Sequence, residues 1–297
     1  MARRSELRLE VTAPAKLNLL LEVLGKRGDG YHEVETLMVP VALADSLSIE
    51  PPAPADDPNG LALVCRPALA SYGCPADETN LALRALALLR QRAGITHGAR
   101  LTLVKRIPMA AGLGGGSSDA AAALVLGNEF WHLGWSRERL AELAAELGSD
   151  VPFFLGRGAA ICRGRGERIE PIAGLMGLHF VVVKPPAGLS TAAVYAHCRG
   201  TGTVGGAAAL ADALAHGPVN RIAHLLQNRL QPAARELSPW IARLENEFSR
   251  VDCVAHQMSG SGTSYFGLCR NARHARRIAR VLRSRGECQV FAVDTRH

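Results

Sequence analysis

Apolar and polar residues alternate from the start of the chain. Leu7, Leu9 and Val11 are separated by Arg8 and Glu10, the two-residue period of a half-buried strand. The period returns from Lys16 to Val23, where Leu17, Leu19, Leu21 and Val23 face one way and Lys16, Asn18 and Glu22 the other. A turn of Gly25, Gly28, Asp29 and Gly30 leads into an extended run from Tyr31 to Val39 that Pro40 is expected to close. The proline-rich stretch from Pro51 to Gly60 reads as a loop. Helical periodicity covers Leu81 to Arg92, and Ser136 to Leu147 with a stop at Gly148. Between them a strand from Leu101 to Val104 ends in Lys105 and Arg106, a glycine-rich loop follows, and a helix is expected from about Ser118.

The second half predicts a strand from Phe180 to Val183, helices near 207–215, 219–230 and 236–248, and a strand over 251–257. A glycine turn at 260–262, another strand, a basic helix and a terminal strand from Gln289 to Val293 complete it. The elements alternate without a regular βαβ rhythm and without an internal repeat, which predicts an α+β fold. Glycines concentrate between Gly156 and Gly177, where a junction between two domains is expected.

Composition narrows the class. Of 297 residues, 48% are hydrophobic and 21% charged, as in folded globular chains. No run of about eighteen uncharged apolar residues is present, so no membrane span is predicted. The basic start, Met1 to Glu6, leads into strand alternation and not into an apolar signal core, so a cytoplasmic protein that begins at its first strand is expected. Seven cysteines are scattered from Cys65 to Cys288 without a Cys-x-x-Cys pair, which predicts reduced structural thiols instead of disulfides or zinc ligands.

The net charge of +7 raises the question of a polyanionic partner. Arg273, Arg276, Arg277, Arg280, Arg283 and Arg285 crowd one predicted helix, and without them the chain is nearly neutral. Ala275, Ile278, Ala279 and Leu282 form an apolar stripe opposite, so the arginines read as a solvated outer face. Single-strand binders need aromatic platforms, and only 5% of residues are aromatic; no nucleic-acid partner is expected.

The chemistry concentrates in Pro108-Met109-Ala110-Ala111-Gly112-Leu113-Gly114-Gly115-Gly116-Ser117-Ser118-Asp119. A strand delivers the chain into glycines and an alanine-rich helix carries it away. Glycines let backbone N–H groups approach an anion, and the new helix adds unsatisfied donors and its positive dipole end. The loop is therefore expected to hold phosphates. It is not a P-loop, since no Gly-Lys-Ser/Thr follows, and Ser117 replaces the last glycine of Gly-x-Gly-x-x-Gly. The plainer reading is a tight turn with Ser117 or Ser118 as N-cap, but four glycines in five residues exceed what a turn needs.

This loop resembles the second motif of the GHMP kinases, named for galactose, homoserine, mevalonate and phosphomevalonate. Ala13-Pro14-Ala15-Lys16-Leu17-Asn18-Leu19 is similar to their first motif, and Met258-Ser259-Gly260-Ser261-Gly262-Thr263 to their third. The long Gly-Gly-Gly-Ser-Ser-Asp-Ala-Ala form, with Gly30-Tyr31-His32-Glu33-Val34 and Gly148-Ser149-Asp150-Val151-Pro152, resembles the branch that phosphorylates a cytidine diphosphate-linked polyol in the non-mevalonate route to isoprenoid precursors. The resemblance implies an S5-like N-terminal domain, residues 1–165, and a ferredoxin-like C-terminal domain, residues 166–297. It implies ATP as co-substrate, Mg2+ held mainly by ATP and water with one hydroxyl from Ser117 or Ser118, and small-molecule partners for a monomer or homodimer.

The resemblance also assigns roles. Asp150 matches the carboxylate beside the acceptor hydroxyl; local sequence alone favours an N-cap after Gly148. Lys16, by default a solvated strand lysine, matches the catalytic cation, with Asn18 on the same face toward the substrate. Asn80 and Lys105 are implied for the nucleoside of ATP, their plainer roles being a helix cap and an exposed strand-end cation. Tyr31, His32, Thr191 and Tyr195 are implied for the cytidine end of the acceptor, Tyr31 by stacking, His32 by hydrogen bonding, and Tyr195 as a second aromatic wall.

Overall fold

The computed structural model describes residues 8–68, 74–156, 158–175 and 177–296. Leu7, the first apolar position of the opening alternation, and the basic start from Met1 to Glu6 lie outside them. The chain gathers into two compact units. The first takes the chain up to Ala15, Ala44–Met109 and Gly114–Gly156; the second takes Lys16–Leu43, Ala110–Leu113 and the chain after Gly156. The units interleave in sequence because β1 (Leu9–Lys26) and β2 (His32–Glu50) each run from one into the other.

The two alternating stretches expected apart are one strand of 18 residues. Pro40 does not end β2, correcting that expectation. The strand pairs with one partner over Val34 to Met38 and with another over Ser46 to Glu50, so Pro40 falls where no ladder N–H is required. Its carbonyl accepts from the Arg296 N–H at 2.9 Å.

In the first unit, β3 (Leu61–Pro67) and α1 (Leu81–Ala93) precede β4 (Ala99–Lys105), which pairs parallel with β3 and antiparallel with Ser46–Glu50 of β2. The helices α2 (Gly115–Phe130) and α3 (Arg137–Leu147) and a 3-10 turn at Pro152–Leu155 complete it. Leu47, Leu101 and Leu103 from the sheet and Leu86 and Leu89 from α1 enclose the alanine run from Ala120 to Ala123. Those small side chains explain the run: a helix wrapped by its neighbours has room for little more than a methyl group. The Cys65 and Cys74 sulfurs are brought side by side, with Cα atoms 6.0 Å apart. Their scattered spacing hid a proximity that only the approach of β3 to the segment before α1 creates.

In the second unit, β5 (Ala160–Gly164) and β6 (Arg168–Pro171) form a hairpin whose first strand pairs with β2. Then come β7 (His179–Lys184), α4 (Thr191–His197), α5 (Gly206–His216), α6 (Val219–Leu225) and β8 (Gln227–Asn228). The chain continues through α7 (Gln231–Leu237), α8 (Pro239–Ser249), β9 (Ala255–Met258), β10 (Tyr265–Cys269), α9 (Ala272–Arg283) and β11 (Gln289–Asp294). Four strands form an antiparallel sheet in the order β11-β7-β10-β9. Val181, Val183, Ile241, Leu244, Phe248, Tyr265, Ile278 and Leu282 share its core.

The helix expected over 219–230 is shorter, because the chain extends at Leu226 so that β8 pairs with β1. The helix expected over 236–248 is broken at Ser238, whose extended conformation precedes Pro239. The apolar stripe of α9 is buried as expected. Arg277 joins Arg270 on Asp252, Arg283 donates to the Val290 carbonyl at 2.8 Å, and Arg285, beyond the helix end, pairs with Glu247 at 2.9 Å.

Phe248 is fully buried, with its ring centroid 5.1 Å from that of Tyr265. Phe248→Ala is expected to lower the unfolding free energy by about 3–5 kcal/mol, measured by urea denaturation.

Candidate active site

The glycine loop divides between the units. From Gly114 onward it belongs to the first, where Gly114 takes φ 69 as the N-cap and α2 begins at once with Gly115. The helix thus starts three residues earlier than expected, and Ser117 and Ser118 lie inside its first turn instead of capping it. Ser118 is 1% exposed, and its hydroxyl has no hydrogen-bond partner.

Lys105 lies beneath this helix start and is not an exposed strand-end cation: it is 4% exposed. Its ammonium donates to Asp119 at 2.8 Å and to Asp45, and a Cβ on Gly115 would stand 3.0 Å from it. The other Asp45 oxygen accepts from the backbone N–H groups of Arg106 and Ile107, fixing the chain that leads into the loop. Burial opposes the Lys105 charge, but the two carboxylates outweigh it and hold its pKa above the ordinary lysine value. For Asp119, burial dominates and, with Asp45 alongside, outweighs Lys105, pushing the carboxyl up to about 7. Its Oδ1 is buried without a partner.

The second unit holds Lys16 and Asn18. Lys16 is 3% exposed, and its ammonium donates to Asn18 Oδ1 at 2.5 Å. Asn18 Nδ2 donates to Thr36 Oγ1 at 2.9 Å, and that hydroxyl donates to the Leu20 carbonyl at 2.6 Å. The third motif forms the turn after β9. Gly260 takes φ 58, and a Cβ there would stand 3.1 Å from Lys16 Nζ and 3.2 Å from Asn18 Oδ1. Gly112, at φ 72, lies on the same turn, where a Cβ would collide with the Ser259 carbonyl. Only glycine allows these approaches. The three motifs, far apart in sequence, are therefore packed backbone to backbone here.

Of the residues implied for the cytidine end, His32 and Tyr195 meet, with ring centroids 5.1 Å apart. Tyr31 is 51% exposed, and the Arg165 guanidinium lies 4.8 Å above its ring. Thr191, opening α4, shares a hydrogen bond of 2.8 Å with Ser261 in the third-motif turn.

Two assignments stand elsewhere, in the first unit. Asn80 caps α1, accepting from the Ala82 N–H at 2.9 Å while its Nδ2 donates to the Pro75 carbonyl at 2.8 Å. Asp150 occupies the turn between α3 and the 3-10 turn, where Val151 and not Asp150 is the N-cap. Asp45, Thr36, Asn228 and Gln257 escaped the sequence reading. Asp45 and Thr36 carry no local signal, whereas Asp119 stood visibly beside Ser118 in the motif.

Among the described residues no three His, Cys, Asp or Glu side chains are grouped to hold a metal, and no helix is long and apolar enough to cross a membrane.

The geometry gives a glycine-rich loop that opens α2 in the first unit, and a buried lysine on β1 in the second. The chain matches the family descriptions "GHMP kinases N terminal domain" over residues 80–158 and "GHMP kinases C terminal" over 209–288. It belongs to the GHMP kinase family. It is 43% identical over 95% of its length to 4-diphosphocytidyl-2-C-methyl-D-erythritol kinase of Pelotomaculum thermopropionicum, covering 96% of that enzyme. The enzyme of the same name from Shouchella clausii is 41% identical over 97% of this chain and 94% of its own. A crystal structure of 4-(cytidine 5'-diphospho)-2C-methyl-D-erythritol kinase matches with a TM-score of 0.81 at 38% identity, covering 97% of this chain and all of that one. Homoserine kinase from Cytophaga hutchinsonii shares the fold, with a TM-score of 0.74 at 18% identity over 98% of this chain and 96% of its own.

The Asp119 shift has a definite sign. In the folded protein its carboxyl keeps its proton to about 7, against 3.8 ordinarily, so folding takes up a proton between those values. This contribution favours the fold at low pH and is lost as pH rises through that window. The stability of Asp119→Asn relative to the unsubstituted protein is therefore expected to increase from pH 4 to about 7 and level off above, measured by urea denaturation across the range.

Proposed function

We propose that this chain transfers the γ-phosphate of ATP to the 2-hydroxyl of 4-diphosphocytidyl-2-C-methyl-D-erythritol, in the non-mevalonate route to isoprenoid precursors. The observation that carries the reading is the 43% identity, over 95% of the chain, to an enzyme named for that substrate. The same reading makes residues 1–165 and 166–297 the two family domains and places the enzyme in the cytoplasm as a monomer or homodimer.

On this reading the loop from Pro108 to Ser118 takes the ATP phosphates on its backbone N–H groups and the start of α2. Asn80, at the start of α1, and Lys105, held by Asp45 and Asp119 beneath the start of α2, serve the nucleoside of ATP. Mg2+ carried by ATP neutralises phosphate charge when bound. The buried, unpartnered Ser118 hydroxyl suits it as one oxygen ligand, with ATP and water supplying others.

Asp150 takes the proton of the acceptor hydroxyl. A carboxylate suffices as base for an alcohol when the transfer is loose and the proton leaves late. Lys16, steadied by Asn18, stabilises the attacking oxygen and the charge on the moving phosphoryl group. Tyr31, His32, Tyr195 and Thr191 hold the cytidine end, so binding energy far from the reacting hydroxyl serves to position it.

The direct test is ADP formation by the purified protein with the cytidylyl acceptor, the same polyol without cytidine, homoserine and mevalonate. Turnover confined to the cytidylyl acceptor is expected; equal turnover with any of the others refutes the assignment. Lys16→Met and Asp150→Asn are each expected to lower kcat by about a hundredfold or more while ATP affinity by calorimetry is retained. Tyr195→Ala is expected to raise the acceptor KM about five- to hundredfold, the equivalent of one lost stacking contact, and to leave the ATP KM unchanged.

A further inference from the structure

The Lys16 ammonium rests against Gly260, so whatever holds the Gly260 turn also sets the position of that charge. Asn228 does so. It sits on β8, which pairs parallel with β1 with Leu20 opposite Gln227 and Leu21 opposite Asn228. Its side chain is buried, and its Nδ2 donates to the carbonyls of Met258 at 2.8 Å and Gly260 at 2.9 Å. Its Oδ1 accepts from the Leu230 N–H at 2.9 Å. One carboxamide thus ties the two ends of the residue stretch Met258 to Gly260 to the strand that carries Lys16 and Asn18.

The neighbouring contacts work in the same sense. Gln257 Nε2 donates to the Asn18 and Leu19 carbonyls at 3.1 and 3.0 Å, and the Asn18 N–H donates to Ser259 Oγ at 3.3 Å. These fix β1 to the entry of the turn, whereas Asn228 fixes the carbonyl of Gly260 itself. Removing its amide leaves two carbonyls in a buried turn without their donor, a loss the turn relieves by moving. Such movement opens space over the lysine head, since no side chain at residue 260 fills it.

We propose that Asn228 is a positioning residue for phosphoryl transfer, acting through the Gly260 turn on the Lys16 ammonium. The proposal rests on the reading of Lys16 as the catalytic cation. It predicts a fault in the reacting geometry and not in substrate binding, because Asn228 approaches the lysine from the β8 side through backbone alone. A displacement of about an ångström at the reacting centre costs on the order of a hundredfold.

The test is a double-mutant cycle of Asn228→Ala and Lys16→Met, with kcat and both KM values measured on proteins shown to melt cooperatively. Asn228→Ala is expected to lower kcat about ten- to hundredfold with both KM values little changed. In the Lys16→Met background it is expected to change residual turnover by less than about twofold, since the group it positions is gone. A loss that multiplies with that of Lys16→Met, one expressed in KM, or a kcat unchanged in the single variant overturns the positioning role. Should Asn228→Ala fail to fold, Asn228→Ser, which keeps one donor, enters the same cycle with the same criteria. Failure of the underlying reading looks different: Lys16→Met alone then retains near-normal turnover.

Discussion

An ammonium group inside a strand is costly unless its charge is met by oriented dipoles, and the second unit is organised around meeting that of Lys16. Asn18 offers its amide oxygen and is itself oriented by Thr36, which is anchored to the Leu20 carbonyl. The chain must then close over the pair without inserting a side chain. Glycine at 260 and 112 permits that closure, and the hydroxyl of Ser259 joins the two backbones by accepting from Asn18 and donating to Gly112. Conformation and contact give these glycines a reason that sequence spacing does not: they are where backbone replaces side chain beside a buried cation.

The first unit buries a second lysine, and there carboxylates meet the charge. Lys105 is buried between two carboxylates, which leaves one negative charge in surplus beneath the start of α2. Asp119 absorbs the surplus by keeping its proton to about 7. Asp45 does double duty, because the oxygen that takes the Arg106 and Ile107 N–H groups also sets the angle at which the strand enters the loop. This cluster braces the entry to the glycine loop from below. The Ser118 hydroxyl, on the same turn of helix as Asp119, is buried without a partner.

The basic helix illustrates how local charge is spent. Among its arginines and their neighbours, Arg277 and Arg270 share Asp252, Arg283 holds the Val290 carbonyl, and Arg285 pairs with Glu247. The exposed pairs, screened by water, contribute little to stability. Their effect is to orient α9 while its apolar stripe supplies the burial. Net charge concentrated in one helix is therefore a property of that helix more than of the molecule.

What the sequence determined by itself were features encoded over short distances. Strand alternation in β1, the periodicity and caps of α1 and α3, and the glycine-rich passage from strand to helix at Gly112–Ser118 follow from neighbours within one turn or one pleat. The resemblance carried by the three motifs supplied the family and the names of the candidate residues. Tertiary structure decided the rest, because those outcomes depend on partners far along the chain. Pro40 is tolerated since β2 changes partner around it, and the closeness of Cys65 to Cys74 needs β3 beside the approach to α1. Whether Lys16 and Lys105 are solvated or buried was likewise undetermined, since a lysine's burial is set by whether Asn18, or Asp45 and Asp119, is brought to its ammonium. Local sequence specifies backbone preference; the desolvation and pairing of a charge are settled only when distant segments meet.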